Sequence, residues 1–267
     1  MQTAEAGTYA AAVLGPIESV EPVQGFVGNQ TFRIHAASGA TAYLKTGTAI
    51  AAEAHAIQQA EAVGVPVPEI LATSLGQPQY LILAEVSGEP SDDPKVLIQA
   101  VHALRTLHEI HYPEADAGGD AGADWAGRLS LLIDDLDKLK GVVPDELAHR
   151  LRVTMPQFIA EVADVPASLL HGDLHARHLY AVDGKLTAIL DWGDACYGDP
   201  LYDLARLTMT ANPATVVATY GGMQNENLQR TLSCYRILWS LAALHAEHAA
   251  GGDWFEPHVR RIAAELS

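Results

Sequence analysis

The densest chemistry in the chain lies between residues 171 and 194. His171-Gly172-Asp173, His175 and His178 are followed by Asp183, Asp191 and Asp194: three histidines and four aspartates. The two main clusters each end an apolar run, Leu169-Leu170 before the first and Ile189-Leu190 before the second. A scaffold that buries those runs presents carboxylates and imidazoles at its mouth, and a pair of polar turns would need fewer such groups. Two chemistries fit. His171, Asp173 and His175 alternate, so a strand would point all three to one side and make the metal site of a hydrolase or oxygenase. Phosphoryl transfer uses a different division of labour. One Asp takes the proton of the attacking hydroxyl, and a second Asp, here about 18 residues later, holds Mg²⁺ on the nucleotide phosphates.

The elements around these residues fall into two regions. Residues 20–27, 31–35 and 41–45 read as short strands, separated by Gly25, Gly28 and Asn29 and by a Ser38-Gly39 turn. An Ala-rich helix is expected over 49–63, stopped by Gly64, Pro66 and Pro68, with a buried strand over 79–86. Ser87, Gly88, Pro90 and Asp92-Asp93-Pro94 then break the pattern as a domain linker would. Beyond it helices dominate. Leu97, Val101, Leu104 and Leu107 share one helical face; so do Leu129, Leu132, Ile133, Leu136 and Leu139, and again Leu228, Leu232, Tyr235, Trp239 and Ala242. The 169–192 island is β-like, with Asp183-Gly184 as a hairpin turn.

The order of the motifs separates the two chemistries. His171-Gly172-Asp173 followed by Asp191-Trp192-Gly193 resembles the catalytic loop and metal motif of the aminoglycoside phosphotransferase family, a branch of the protein-kinase-like fold. Gly198-Asp199-Pro200 and Asp203-Leu204-Ala205 follow at the spacing of that family. The resemblance implies an α+β, two-lobed fold. A small antiparallel-sheet N-lobe with one main helix, 1–86, binds nucleotide; a larger, mostly helical C-lobe, 87–267, carries the catalytic and metal loops and the acceptor site. It implies Asp173 as catalytic base and Asp191 as metal ligand. Lys45 becomes the phosphate-pairing lysine, with Glu53 as its ion-pair partner. Gly28 and Asn29 lie in the turn over the phosphates, and Ala84 and Val86 at the hinge end of the last N-lobe strand. Asp203 resembles the buried Asp that ties down the loop backbone, and His171 braces that loop.

One position departs from the family. Five residues after the proposed base the family has Asn, and here stands His178. Mg²⁺ prefers oxygen and imidazole suits softer ions. Either His178 ligates the metal, with Mn²⁺ joining Mg²⁺ as a candidate, or the second metal site is lost or rebuilt with Asp194. A third outcome is a kinase-like binding module without turnover. The implied substrates are ATP or GTP and a small-molecule hydroxyl acceptor. An aminoglycoside or other antibiotic is favoured over a choline-, homoserine- or sugar-type metabolite.

Charge and composition bound the partners. With 16 basic against 33 acidic residues the net charge is −17, and protonating all 12 histidines would leave −5. Nucleic acid and anionic membrane surfaces are thereby disfavoured, and cationic or neutral small molecules remain. Seven carboxylates over 114–137, from Glu114, Asp116 and Asp120 to Asp137, would suit a polycation, although a solvated acidic loop has the same composition. Two cysteines make no disulfide framework, the N-terminus has no basic leader, and no apolar run spans a bilayer. A cytoplasmic protein is expected, with its oligomeric state open.

Overall fold

In the computed structural model, residues 1–23, 30–112, 124–222 and 225–267 are described. The chain forms two compact units: 1–103 with 177–195, and 104–176 with 196–267. The α+β class holds, with an antiparallel sheet in the N-terminal part and a helical remainder.

In the first unit, β1 (Ile17–Val23), β2 (Gln30–Ala36), β3 (Thr41–Thr46), β4 (Ile70–Ser74) and β5 (Tyr80–Ala84) form one sheet in the order β1-β2-β3-β5-β4. Its neighbouring strands are antiparallel. The two-residue period of a strand sorts its faces. Phe32, Leu44 and Ile82 lie in register on one face, beside the Ile34–Ala42 pair. They are buried with Ala6 and Ala10 of α1 (Thr3–Leu14). The other face carries Arg33 opposite Tyr43, and Lys45 between Thr31 and Leu81. The same alternation that makes the core therefore aims Lys45 away from it.

α2 (Ile50–Ala62) falls where the sequence puts it, whereas α1 has no counterpart in the periodicity argument. Its buried residues are alanines, which bury a face without a visible stripe of large apolar residues, so among the described residues of 1–86 α1 stands beside the one helix expected, α2.

The expected linker at 87–94 is paired rather than loose. β6 (Glu89–Pro90) bonds to β8 (Leu179–Val182), and a Cβ on Gly88, at φ +103°, would meet the Ala181 carbonyl oxygen at 2.3 Å. β8 and β9 (Lys185–Ile189) form the expected hairpin, its turn residues Asp183 and Gly184 both at positive φ (50° and 75°). The hairpin thus joins the first unit, as does most of α3 (Pro94–Leu107), whose Gln99 bonds the Gly184 carbonyl and the Leu186 amide.

The second unit contains α4 (Trp125–Asp134), α5 (Asp145–Glu161), α6 (Leu201–Thr208), α7 (Pro213–Tyr220), α8 (Glu226–Ala249) and α9 (Glu256–Glu265). A two-stranded antiparallel ribbon, β7 (Ser168–Leu170) with β10 (Cys196–Gly198), completes it. Its core is aromatic: Tyr235 of α8 meets Phe158 edge-on at 5.0 Å and Tyr202 at 5.7 Å, with Trp125 beside it. Such pairs add about 0.5–1.5 kcal/mol each beyond area burial. Among the described residues no helix is long and apolar enough to cross a membrane.

Candidate active site

The first unit encloses a cavity of about 1030 Å³, lined among others by Lys45, Glu53, Ala84, Val86, His178 and Asp191. Glu53, in the first turn of α2, is buried and forms an ion pair with Lys45 at the end of β3. The Lys45 ammonium also donates to Asp191 Oδ1 at 3.0 Å. Burial alone would lower the Lys45 pKa; the facing Glu53 and Asp191 carboxylates outweigh it and hold the ammonium above the ordinary lysine value. Burial pushes the Glu53 carboxyl up, against the pull of Lys45.

The hairpin explains how residues 13 apart come together. His178 directly precedes β8 and Asp191 lies just past β9, and the Leu179–Ile189 register sets them side by side. The Leu190 amide bonds the His178 carbonyl at 2.9 Å, and His178 Nε2 lies 3.7 Å from Asp191 Oδ2. Asp191 itself sits at φ +64°, in the left-handed region where Asp and Asn are the tolerated non-glycine residues. Trp192 is a core residue; its indole donates to the Ile189 carbonyl at 2.8 Å. Gly28 and Asn29, with the turn expected from them, lie outside the described residues, as do Glu114, Asp116 and Asp120 of the acidic run.

In the second unit, the segment after β7 is not a strand. The alternation of His171, Asp173 and His175 therefore does not line one strand face, and the hydrolase-type metal triad loses its premise. Gly172 turns the chain at φ +86°, and His171 is buried, its Nδ1 accepting the Asp173 amide at 3.3 Å. Asp203 of α6 has no exposure. Its two oxygens accept the His171 and Gly172 amides, each at 2.8 Å, and His108 Nε2 lies 3.1 Å from Oδ2. Tyr220 OH meets the other His108 nitrogen at 2.8 Å. Asp199, two residues before α6, accepts the Leu201 amide at 2.9 Å and the Tyr235 hydroxyl at 2.7 Å.

Burial would raise the Asp203 pKa, but the His108 contact and the backbone amides overcome it and hold the carboxyl below its ordinary value. A carboxyl depressed on folding contributes stability above its unfolded pKa, about 3.9, and loses it as pH falls through the lower folded value. Asp203→Asn exchanges one acceptor oxygen for a donor that faces a backbone N–H. The variant is expected to lose about 2–4 kcal/mol at pH 7 in urea unfolding, and the gap should narrow below about pH 4. An Asn variant as stable as the parent would remove Asp203 as the anchor of the loop.

Asp173 reaches the surface of its unit from this anchored turn. Arg206 Nε donates to its Oδ1 at 2.6 Å, and His175 Nε2 lies 3.7 Å from Oδ2. One unit therefore offers a cation between two carboxylates at a large cavity, and the other a half-buried carboxylate on a turn whose amides are tied down.

Residues 19–248 match the phosphotransferase enzyme family. The chain belongs to that family. Among curated proteins it is similar to the hygromycin-B 4-O-kinase of Escherichia coli, 21% identical over an alignment of 163 positions that covers 54% of this chain and 47% of that protein. The chain thus spans about half the length of the curated relative it matches. In fold, this phosphotransferase-family chain is similar to the aminoglycoside phosphotransferase APH(4)-Ia in a ternary complex with ADP and hygromycin B (15% identity, 97% of each chain, TM-score 0.74). It is also similar to APH(2")-IIia with GDP and kanamycin (19% identity, 98% of each chain, TM-score 0.77). A third fold relative is the apoenzyme of the macrolide 2'-phosphotransferase MphH from Brachybacterium faecium (18% identity, 98% and 97% covered, TM-score 0.62).

Nothing in the sequence alone singles out Arg206 or Tyr220, or sets His108 apart from the other histidines. A basic residue at the sixth position of a helix gives no signal by itself. The clue was available at Asp203: a carboxylate among the apolar residues of a helix needs buried donors, and histidines elsewhere in the chain are candidates.

Proposed function

We propose that this chain transfers the γ-phosphoryl group of ATP or GTP to a hydroxyl of a small molecule, with an aminoglycoside or other antibiotic as the favoured acceptor. The observation that carries the reading is Lys45, held between Glu53 and Asp191 in the lining of the 1030 Å³ cavity. A lysine kept protonated and aimed at a cavity is suited to phosphate oxygens, and Ala84, at the end of β5, and Val86 beyond it line the same cavity, where the base would lie. The first unit then binds nucleotide, and the second supplies Asp173 and the acceptor surface.

In the transfer, a lone pair of the acceptor oxygen forms the new bond to the γ-phosphorus. The bond from phosphorus to the bridging oxygen breaks, and its electron pair leaves with the nucleoside diphosphate. Asp173 orients the hydroxyl and receives its proton late; Lys45 meets charge on the phosphates. The carboxylate of Asp191 and the imidazole of His178, 3.7 Å apart, fit a divalent cation of mixed oxygen and nitrogen preference, and would hold it. When bound, such an ion neutralises phosphate charge. The net charge of −17 and the antibiotic kinases among the relatives support a cationic antibiotic as acceptor.

The test uses γ-labelled ATP and GTP, with Mg²⁺ or Mn²⁺, and a panel of aminoglycosides, macrolides and hydroxylated metabolites. Label should move to one acceptor class, with one diphosphate formed per product. His178→Asn should shift the rate ratio toward Mg²⁺, because it replaces imidazole nitrogen with an amide oxygen. Absence of transfer to every hydroxyl would overturn the reading. An unchanged Mg²⁺-to-Mn²⁺ ratio in His178→Asn and His178→Ala would remove His178 as a ligand.

A further inference from the structure

Arg206 lies in α6 three residues after Asp203, and its side chain is nearly buried. Its Nε donates to Asp173 Oδ1 at 2.6 Å, while its guanidinium carbon stands 3.9 Å from the centroid of the Trp239 ring. Trp239, from α8, donates its indole N–H to the Gly172 carbonyl at 3.2 Å. Arg206 is thus fixed at two ends, by the carboxylate it bonds and by the ring it covers, and that ring is itself bonded to the turn bearing Asp173. His258 of α9 packs beside Trp239 at 5.7 Å, and burial with the Arg206 charge lowers its pKa, so it adds little positive charge there at neutral pH.

A structural ion pair would serve to hold the turn, but the turn is already held. Asp203 takes the His171 and Gly172 amides and Trp239 takes the Gly172 carbonyl. What these backbone bonds do not set is the orientation of the Asp173 carboxylate, whose terminal torsion is broad and roughly twofold; its Oδ1 meets Arg206 and its Oδ2 lies 3.7 Å from His175 Nε2. The Arg206 bond at 2.6 Å is the shorter of these two contacts and fixes Oδ1, and a guanidinium stays charged at every working pH.

We propose that Arg206 is a positioning residue: it holds Asp173 by Oδ1, so that Oδ2 is the oxygen that receives the acceptor proton. This rests on the phosphotransferase reading. In the step, the acceptor O–H bond breaks as its oxygen bonds the γ-phosphorus and the diphosphate departs with the bridging electron pair. The proton moves to Asp173 Oδ2 and afterwards to water. Arg206 keeps its protons throughout.

The experiment measures kcat, both KM values and thermal melting for the wild type, R206A, R206K and D173N, with and without methylguanidinium. R206A should lose on the order of 10²-fold in kcat, with nucleotide KM changed by less than about threefold. Added methylguanidinium should restore about tenfold of that loss in R206A and nothing in D173N, since it replaces a donor only where a carboxylate remains. R206K should fall between, keeping the charge without the planar fork. If R206A does not fold, R206K decides: a lowered kcat at unchanged nucleotide KM supports the assignment, and wild-type kcat overturns it. A folded R206A within about threefold of wild-type kcat, or one that methylguanidinium leaves unchanged, also overturns it. A wild type that phosphorylates no hydroxyl removes the phosphotransferase reading itself, and that result is visible before any variant is compared.

Discussion

Asp173→Asn is expected to lower acceptor-dependent turnover by at least about 10²-fold, a barrier increase of about 2.7 kcal/mol, with nucleotide binding unchanged. The amide keeps the volume of the carboxylate and can accept the bond that Arg206 donates to Oδ1, so the turn has little reason to move. It cannot take a proton. Because the transition state of phosphoryl transfer is loose and the proton moves late, the loss is smaller than a fully committed base would show. Binding is unaffected because Lys45, Glu53 and Asp191 belong to the other unit. Initial rates over a range of acceptor concentrations, with the melting-temperature rise on adding nucleotide, check both halves. A variant turning over at more than about a third of the parent rate would exclude Asp173 as the base.

The parts of this molecule legible in the sequence share one property: their signal is local. The Asp183-Gly184 turn, the stop at Gly64 to Pro68 and the leucine stripe of α3 each announce themselves within one element. Motif order extended this to the family and to Lys45, Glu53 and Asp191, which the fold does bring to one cavity. What was not legible depends on pairing between distant segments. β7 bonds β10 and not the hairpin beside it in sequence, and β6 takes a linker-like stretch into the first unit. Short strands of two or three residues carry too little periodicity to declare a partner. The misreading of 171–175 has a related cause. Alternating polar residues suit a strand and a tight turn equally, and the positive φ of Gly172 decided for the turn. Arg206 and His108 were illegible because their meaning lies in Asp173 and Asp203, reached across 33 and 95 residues.

Asp191→Asn should be the more severe change, lowering turnover by on the order of 10³-fold, about 4 kcal/mol. Substitution with Asn is chosen for the backbone. At φ +64° a side chain with a Cβ is strained, and Asn is the replacement that tolerates this region best, so the loop keeps its shape. Asp191→Ala would add a conformational cost of about 1–2 kcal/mol and blur the reading. The loss in Asp191→Asn is then electrostatic. Lys45 keeps Glu53 but loses one of the two carboxylates that hold its charge, and the carboxylate oxygen facing His178 becomes a poor cation ligand. Nucleotide alone should still raise the melting temperature, because the cavity and Lys45 persist. The further rise produced by Mg²⁺ or Mn²⁺ with nucleotide should disappear, since it is the mass-action signature of a cation bound only by the folded chain. A variant that retains both the metal-dependent rise and turnover within about tenfold of the parent would show that the divalent cation is held elsewhere. Retention of the rise with loss of turnover would instead confine Asp191 to orienting Lys45, whose ammonium it meets at 3.0 Å.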